Sequence, residues 1–357
     1  MAVRMTVLLL IVCMFVKSDV LSDECHNEES FIGAYDKKTL NDVLIPSTKK
    51  NFLGAGSFGE VKRVLLDKIV ENEVAVKTIT IGTKISQING IKEEIRYLMK
   101  MGDKGVTPYF YDCLESNGKV YIIQEMLYKS LLTSEMIEKF QSFQPSKKIF
   151  KFLQIAMKLR DFHREGDTHQ DLKPDNIMSI DDDMTDFRIV DLGMATDMLG
   201  ELKGGTPLFN SPDKINRSKK PSCYQDVFAF AMTMVVMEMS NYEFFDRVTD
   251  DCFRKFSEEC KDQYVEKLEE LSKKKYENNL SLLFSYLSRV LFRKEKLILV
   301  DLIERMTEIY YTLVNRFEKG KGRYKNRVYS IYKHSRTSSQ EVYGQEHFEE
   351  FGRDRIV

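Results

Sequence analysis

The sequence predicts an α+β protein in which a small β-rich region precedes a larger helical region. Residues 74–81 are β-branched and alternate in polarity, and residues 119–127 are apolar and aromatic, so both are expected to be strands. From residue 149 onward, helical apolar spacing dominates. With 357 residues and 43% hydrophobic residues, the chain can form one two-lobed domain or two small domains, which excludes wholesale disorder.

Periodic apolar residues predict most of the helices. In residues 91–101, the side chains of Ile91, Ile95, Leu98 and Met99 are expected on one face. Residues 228–239 are apolar almost all round, as is typical of a helix buried on every side. Further helices are expected at residues 149–163, in the charge-rich surface stretch 246–280, and in one long stretch at about 280–317.

Residues 1–22 have the pattern of a secretory signal peptide. Arg4 precedes the almost entirely apolar residues 5–16, and small residues follow at Ser18 and Ser22. A twelve-residue helix rises about 18 Å against about 30 Å of hydrocarbon, so no transmembrane span is expected after signal removal. The pattern therefore predicts a protein of the secretory pathway or a secreted one; a signal-anchored membrane protein and a cytoplasmic protein are the alternatives.

Charge and cysteine content limit the ligands and disulfide bonds to be expected. Lys and Arg number 54 and Asp and Glu 55, giving a net charge of -1, so no nucleic-acid partner is expected. The six cysteines have no C-x-x-C spacing of the kind that binds zinc. In an oxidising compartment Cys252 and Cys260 are close enough in sequence to pair, and reduced buried thiols are the alternative.

Gly54, Gly56 and Gly59 lie in the segment G-A-G-S-F-G-E-V. Glycines let backbone amides approach phosphates closely, because no Cβ intervenes. A Rossmann turn would open a helix, whereas strand-like residues continue here, which favours a glycine flap over a nucleotide.

Lys77 lies in the predicted strand V-A-V-K, and a buried ammonium needs an anionic partner. Glu94 on the following helix is the first candidate and Glu93 the second. An exposed lysine on an edge strand is the alternative.

The segment His169-Gln-Asp-Leu-Lys-Pro-Asp-Asn176 concentrates chemically useful groups in one short loop. Asp171 can accept a proton from a hydroxyl, Lys173 can neutralise developing phosphate charge, and Asn176 can bind a metal through its amide oxygen. Asp191 follows in D-L-G and offers a second hard oxygen ligand of the kind that Mg²⁺ prefers.

In this order and spacing, these segments resemble the eukaryotic protein kinase family of the serine/threonine type. The resemblance covers residues 48–317 and implies a bilobal protein-kinase-like fold, with a β-rich N-lobe at 48–126 and a helical C-lobe at 127–317. Residues 23–47 are then a polar lead-in, and residues 318–357 a basic and mixed tail. The resemblance implies ATP and Mg²⁺ as cofactors and protein Ser/Thr hydroxyls as acceptors.

The resemblance also implies roles for single residues. The three glycines would cover the ATP phosphates. The adenine would lie below Val61 and Ala75 and above Met178, with Glu125 and Leu127 as hinge residues. The catalytic assignments are Lys77 paired with Glu94 on the α- and β-phosphates, Asp171 as base, Lys173 beside it, Asn176 and Asp191 on Mg²⁺, and Asp226 bracing the catalytic loop.

Three positions depart from the family pattern. Gln170 replaces an arginine that docks a phosphate, so activity without phosphorylation of the loop 194–210 is expected. Leu192 is an apolar substitute for phenylalanine. Asp213 replaces a longer glutamate, whose arginine partner has three candidates: Arg293, Arg305 and Arg316.

An inactive kinase-fold binding module, or pseudokinase, is the alternative to an active enzyme. None of the residues that handle phosphate or metal is missing from the family pattern, which favours the enzyme.

Overall fold

The computed structural model describes residues 21, 24–56, 59–70, 73–217, 220–239, 250–273, 280–294 and 296–318. The chain divides into two compact units, residues 1–128 with 188–193, and residues 129–187 with 194–357. The predicted signal segment 1–22, apart from Leu21, and the tail beyond residue 318 lie outside the described residues.

A six-stranded sheet forms the centre of the first unit. Its strands, in spatial order β1-β5-β6-β4-β3-β2, are antiparallel except for the parallel pair β1 and β5. The strand bounds are His26–Asn27 (β1), Phe52–Gly56 (β2), Gly59–Leu65 (β3), Glu73–Thr80 (β4), Phe110–Ser116 (β5) and Lys119–Glu125 (β6). The two strands expected from sequence correspond to β4 and β6.

Residues 24–45 differ from the predicted polar lead-in, because they supply β1 and two capped helices. Helices α1 (Glu28–Ala34) and α2 (Lys37–Leu44) begin at Asn27 and Asp36, whose side chains accept hydrogen bonds from backbone amides of the first turn. The apolar side chains of these helices are few, but they are buried against the sheet. Phe31, Leu40 and Val43 pack with the strand residues Val64, Val74, Val76 and Ile123.

Helix α3 (Ile85–Met101) also belongs to the first unit. Ile91, Ile95 and Leu98 are buried as the spacing predicts. Met99 was placed wrongly on the same face, since its side chain is 55% exposed. The buried stripe of α3 passes instead through Glu94 and Met101, which are buried.

The second unit is mainly helical. Its helices are α4 (Ser134–Ser142), α5 (Pro145–Arg164), α6 (Pro212–Ile215), α7 (Cys223–Met239), α8 (Glu258–Lys273), α9 (Leu280–Val290) and α10 (Leu299–Glu318). Helix α7 is buried almost throughout, as predicted, and contacts α4, α5 and α10. The stretch 280–317 is two helices rather than one, because residues 291–298 interrupt it.

Short strands shape the loops of the second unit. Strand β7 (Lys129–Ser130) pairs with β9 (Ile177–Ser179), and β8 (Asp167–Thr168) pairs with β11 (Thr196–Asp197), both antiparallel. Strand β10 (Phe187–Ile189) begins in the second unit with Phe187 and continues into the first, to which residues 188–193 belong. The pairing of β8 with β11 brings the segment after residue 195 beside the loop that begins at His169.

Each unit contains one disulfide bond. Cys252 pairs with Cys260, one of the two alternatives that the sequence left open, and Cys25 pairs with Cys113, which spacing did not indicate. Among the described residues, Cys223 is the free cysteine. Among the described residues, no helix is both long enough and apolar enough to cross a membrane.

Candidate active site

The glycine-rich segment forms the hairpin between β2 and β3, not the start of a helix. Gly56 is opposite Gly59, and Gly54 is opposite Val61. Gly59 has a φ of +144°, and a Cβ there would lie 2.3 Å from the carbonyl oxygen of Thr78. Only glycine fits this close approach of two strands, which supports the predicted flap over the Rossmann alternative.

Lys77 on β4 forms an ion pair with Glu94 on α3, with 2.5 Å between Nζ and Oε1. Their side chains are only 11% and 6% exposed. Glu93 instead pairs with Arg96 at the surface, at 2.7 Å. The structure therefore selects Glu94 as the partner and excludes the exposed edge-strand lysine.

Three of the residues expected around an adenine ring, Val61, Ala75 and Glu125, lie on the six-stranded sheet. Ala75 is buried and Val61 half-buried, on adjacent strands. The backbone N–H of Glu125 donates to the carbonyl of Tyr109 at 2.8 Å. Glu125 would therefore contact adenine through its own backbone carbonyl, which could accept a hydrogen bond. Leu127 is buried two residues further on.

A salt bridge that sequence reasoning missed fixes Glu125. Arg188 donates from Nε and Nη2 to the two carboxylate oxygens of Glu125, at 2.8 and 3.0 Å. This bidentate geometry locks the end of β6, where the predicted hinge begins. The two residues are 63 positions apart, so no local pattern could have indicated the pair.

The D-L-G segment closes the first unit. Asp191 has a φ of +62°, in the left-handed region that non-glycine residues seldom adopt. Leu192 is 1% exposed, so it packs as the apolar substitute that was expected. Met178 lies in the second unit, half-buried and opposite Ser130.

The second unit brings Asp171, Lys173 and Asn176 together. Lys173 Nζ lies 3.1 Å from Asp171 Oδ2 and 2.8 Å from Thr206 Oγ1. The backbone N–H of Thr206 donates to Asp171 Oδ1 at 2.6 Å. Asn176 Nδ2 donates to the backbone carbonyl of Asp171 at 2.8 Å. Both carboxylate oxygens of Asp171 are therefore held by donors.

These contacts set the charge of Asp171. Burial raises the pKa of the Asp171 carboxyl. Hydrogen bonds from Thr206 and Lys173, together with the charge of the lysine, lower this pKa by more than burial raises it, so it lies below its ordinary value. The group is thus ionised at neutral pH and able to accept a proton.

Asp226, in the first turn of α7, holds the backbone of the loop that begins at His169. Its Oδ2 accepts from the backbone N–H of His169 at 2.7 Å, and its Oδ1 from that of Gln170 at 2.9 Å. His163 on α5 adds a contact of 3.0 Å to Oδ2. Burial raises the pKa of Asp226, and these partners lower it more, so the carboxylate stays ionised in a fully buried position.

Asp213 has a partner that was not among the three arginines. Lys294 lies 3.5 Å from its Oδ2, and Gln225 donates to the same oxygen at 3.4 Å. Arg305 instead pairs with Glu308. The sequence left this partner open, and among the described side chains Lys294 and Gln225 contact the Asp213 carboxylate.

The donor set fits Mg²⁺ better than a metal held by protein alone. Among the described residues, no group of three or more His, Cys, Asp or Glu side chains is arranged to hold a metal. The amide nitrogen of Asn176 is turned to Asp171, which leaves its oxygen as the ligand atom. Mg²⁺ typically takes one or two protein oxygens and completes its shell with phosphates and water.

Comparison with known proteins identifies the class. The family described as "Protein kinase domain" matches residues 47–308, most of the chain, and the chain belongs to this family. The resemblance and the α+β fold predicted from sequence are thereby confirmed.

Named relatives are kinases of the serine/threonine type. The chain is 25% identical over 213 residues to calcium-dependent protein kinase 5 of Plasmodium berghei, covering 57% of this chain and 36% of the relative. It is 26% identical over 212 residues to serine/threonine-protein kinase dkf-1 of Caenorhabditis briggsae (57% and 27% covered). It is 26% identical over 178 residues to myosin light chain kinase family member 4 of Homo sapiens (47% and 44% covered). The chain thus spans less than half the length of these relatives.

Proposed function

We propose that the chain is an active serine/threonine protein kinase that transfers the γ-phosphoryl group of ATP to hydroxyl groups of protein substrates. The observation that carries the proposal is the arrangement of Asp171, Lys173 and Thr206. An ionised carboxylate with fixed orientation lies beside an ammonium group, which is what phosphoryl transfer to a neutral hydroxyl requires.

In the proposed reaction, Asp171 accepts the proton of the Ser or Thr hydroxyl as its oxygen bonds to the γ-phosphorus. The bond from that phosphorus to the β,γ-bridging oxygen breaks, and ADP leaves. Lys173 stabilises the negative charge near the transferred group. Lys77, held by Glu94, is the candidate for the α- and β-phosphates. Asn176 and Asp191 would hold Mg²⁺, which neutralises phosphate charge when bound.

Lys173 and Thr206 support a Ser or Thr acceptor. Their hydrogen bond ties the catalytic loop to the segment before Ser211. Lys173, two residues after Asp171, and Gly205-Thr206 before Ser211 also resemble the serine/threonine pattern, which favours Ser or Thr over Tyr as the acceptor.

A transfer assay tests the proposal. Purified chain is incubated with Mg²⁺ and labelled ATP, alone and with a peptide library, beside the variants Asp171→Asn and Asp182→Asn. Asp182 is an exposed acid in the same unit, and its replacement removes the same charge without touching the site. We expect transfer to Ser and Thr by the wild type and by Asp182→Asn, and its loss in Asp171→Asn. If the wild type transferred no more labelled phosphate than Asp171→Asn, the enzyme proposal would fail and a binding module would be the remaining function.

We further propose that the protein acts in the secretory pathway or outside the cell. Disulfide bonds persist in oxidising compartments, and both units have one. The apolar residues 5–16 supply the signal. Leu21 is buried and its backbone N–H donates to Glu115 at 3.2 Å, so cleavage after Ser18 preserves these contacts whereas cleavage after Ser22 removes them.

Secretion from cultured eukaryotic cells tests this second proposal. We expect the protein in the medium, with residue 19 as its first residue and with two disulfides in the non-reduced peptide map. Retention in the cytoplasm with an intact N-terminus and reduced cysteines would contradict it.

A further inference from the structure

The backbone of Gln170 is under constraint just before Asp171. Its φ is +70°, a left-handed value that is unfavourable for a residue with a side chain, and Gln170 is only 4% exposed. Its side chain is turned inward, where Nε2 donates to Thr168 Oγ1 at 2.8 Å. Thr168 Oγ1 in turn donates to the carbonyl of Thr196 at 3.2 Å, so the Gln170 side chain makes only an indirect and uncharged link to the segment that follows residue 194.

Two buried charges of opposite sign hold this backbone. On one side the N–H of Gln170 donates to the carboxylate of Asp226 at 2.9 Å. On the other side its carbonyl accepts a hydrogen bond from the ammonium of Lys214. The N–H thus points to an anion and the C=O to a cation, which favours the strained conformation of Gln170 and so fixes the direction in which Asp171 leaves the loop.

The ammonium of Lys214 also lies against the segment that completes the site. A Cβ placed on Gly205 would be 2.9 Å from Lys214 Nζ and 2.8 Å from the carbonyl oxygen of Gln170. Gly205 has a φ of +136°, and the next residue is Thr206, whose N–H holds Asp171. One lysine therefore lies where the catalytic loop, the segment 205–206 and helix α6 meet.

Charge balance allows this lysine to be buried. Lys214 is 9% exposed, and burial lowers the pKa of its ammonium below the ordinary lysine value, an effect that the carboxylates of Asp226, Asp171 and Asp213 offset in part. An ammonium buried among three carboxylates and bonded to a carbonyl is compensated, whereas the carboxylates without it would repel one another.

We propose that Lys214 is a positioning residue for phosphoryl transfer, which holds Gln170 and the segment 205–206 so that Asp171 faces the acceptor. The inference rests on the proposed function. In this proposal the positive charge of Lys214 links the catalytic loop to the segment 205–206. Because this link is part of the chain, the arrangement requires no phosphate on the loop 194–210.

The test compares variants of the full chain. Lys214→Met removes the charge, Lys214→Gln keeps a donor without the charge, and Lys214→Arg keeps both. The control is Lys294→Met, which removes an exposed lysine that contacts Asp213. For each protein, kcat and the KM for ATP are measured with one peptide, and the melting temperature is recorded beside them.

We expect Lys214→Met to lower kcat by at least about tenfold with the KM for ATP within about twofold, since Lys214 acts on the acceptor side. Lys214→Arg should recover kcat to within about threefold of wild type, and Lys294→Met should leave it unchanged. If Lys214→Met does not fold, the comparison of Gln with Arg decides, with Arg expected at least about fivefold faster. A Gln or Met variant as fast as wild type would overturn the proposal, and so would an Arg variant no faster than Gln.

A readout without catalysis separates this inference from the proposed function. Hydrogen exchange of the amides of residues 168–172 and 204–207 should be faster in Lys214→Met and Lys214→Gln than in Lys294→Met, because Thr206 loses its fixed position. If the wild type transfers no phosphate but these amides respond as expected, the proposed function fails and the positioning role stands. Unchanged exchange at these amides would refute the positioning role whatever the activity.

Discussion

The two disulfides should contribute unequally to stability, because they close loops of very different length. Cys25 and Cys113 are separated by 88 residues, and Cys252 and Cys260 by 8. The chain-entropy relation gives about 4.6 kcal/mol for the long loop and about 2.5 kcal/mol for the short one at 25 °C. The difference of about 2 kcal/mol corresponds to about a 30-fold difference in the equilibrium for opening.

Contacts around the long disulfide determine how much of this loss is seen. Residues near Cys25 make further links to the sheet and to α3, among them Tyr35 Oη to Asp112 at 2.6 Å and Glu24 to Lys92 at 3.5 Å. These links remain when the cysteines become serines. The native state should therefore keep its fold, and the loss should come from greater freedom of the unfolded chain.

Native-state hydrogen exchange measures the effect unit by unit. The chain has no tryptophan, so intrinsic fluorescence reports poorly on either unit. Amides of β4 and β6 report opening of the first unit, and amides of α7 report opening of the second. The double variants Cys25→Ser/Cys113→Ser and Cys252→Ser/Cys260→Ser serve as controls for each other.

We expect the first double variant to speed exchange in β4 and β6 and to leave α7 unchanged, with the reverse pattern in the second. The larger effect should belong to the first variant. An equal or smaller loss from the 88-residue loop would refute the loop-length reasoning. A loss spread evenly over both units would refute the assignment of one disulfide to each.

Three further outcomes follow from the site. Phosphatase treatment should leave kinase activity within about twofold, because Gln170 has no charge with which to dock a phosphate; a large loss on treatment would contradict this. Glu94→Gln should lower kcat/KM for ATP by about 100-fold, because it leaves a buried ammonium without its carboxylate, while Glu93→Gln should have no effect. Activity should be lost on acidification only below the ordinary pKa of aspartate, since the pKa of Asp171 is lowered and a base fails as pH falls through its pKa. Lys173→Met should move this acidic limb of the kcat profile upward, and an unmoved limb would count against Asp171 as the base.

The sequence predicted the parts of the site that lie in short segments. Lys77 and Glu94 lie on a strand and the helix that directly follows it, and Asp171, Lys173 and Asn176 lie in one loop; the structure brings each set together. Such sets are visible because local backbone geometry converts sequence distance into spatial distance.

Contacts made over long sequence distances could not be predicted in the same way. Arg188 binds Glu125 across 63 positions, and Lys214 binds Gln170 across 44. A lysine in a polar segment is expected at the surface, and only the three carboxylates around it explain why Lys214 is buried. The partner of Asp213 was left open for the same reason, since Lys294, which contacts it, is also remote in sequence.

The segment before residue 47 is part of the folding unit although the family match begins only there. Phe31, Leu40 and Val43 cover one face of the sheet. Lys62 on β3 is 2% exposed, and its ammonium donates to the carbonyls of Val43 and Ile45, which end helix α2. These carbonyls have no partner within the helix, so the lysine satisfies them while they compensate its charge.

Burial lowers the pKa of Lys62 to about 8, so the folded state disfavours its proton relative to the unfolded chain. By this group alone, the free energy of unfolding should rise as pH increases from about 8 toward the ordinary lysine value near 10.4. The charged form is nevertheless the one that binds the two carbonyls. The ammonium of Lys62 therefore stabilises the end of α2, and the carbonyls of residues 43 and 45 in turn compensate the charge of this buried lysine. It follows that a chain shortened to the family match would lose this partner for Lys62 together with its apolar cover.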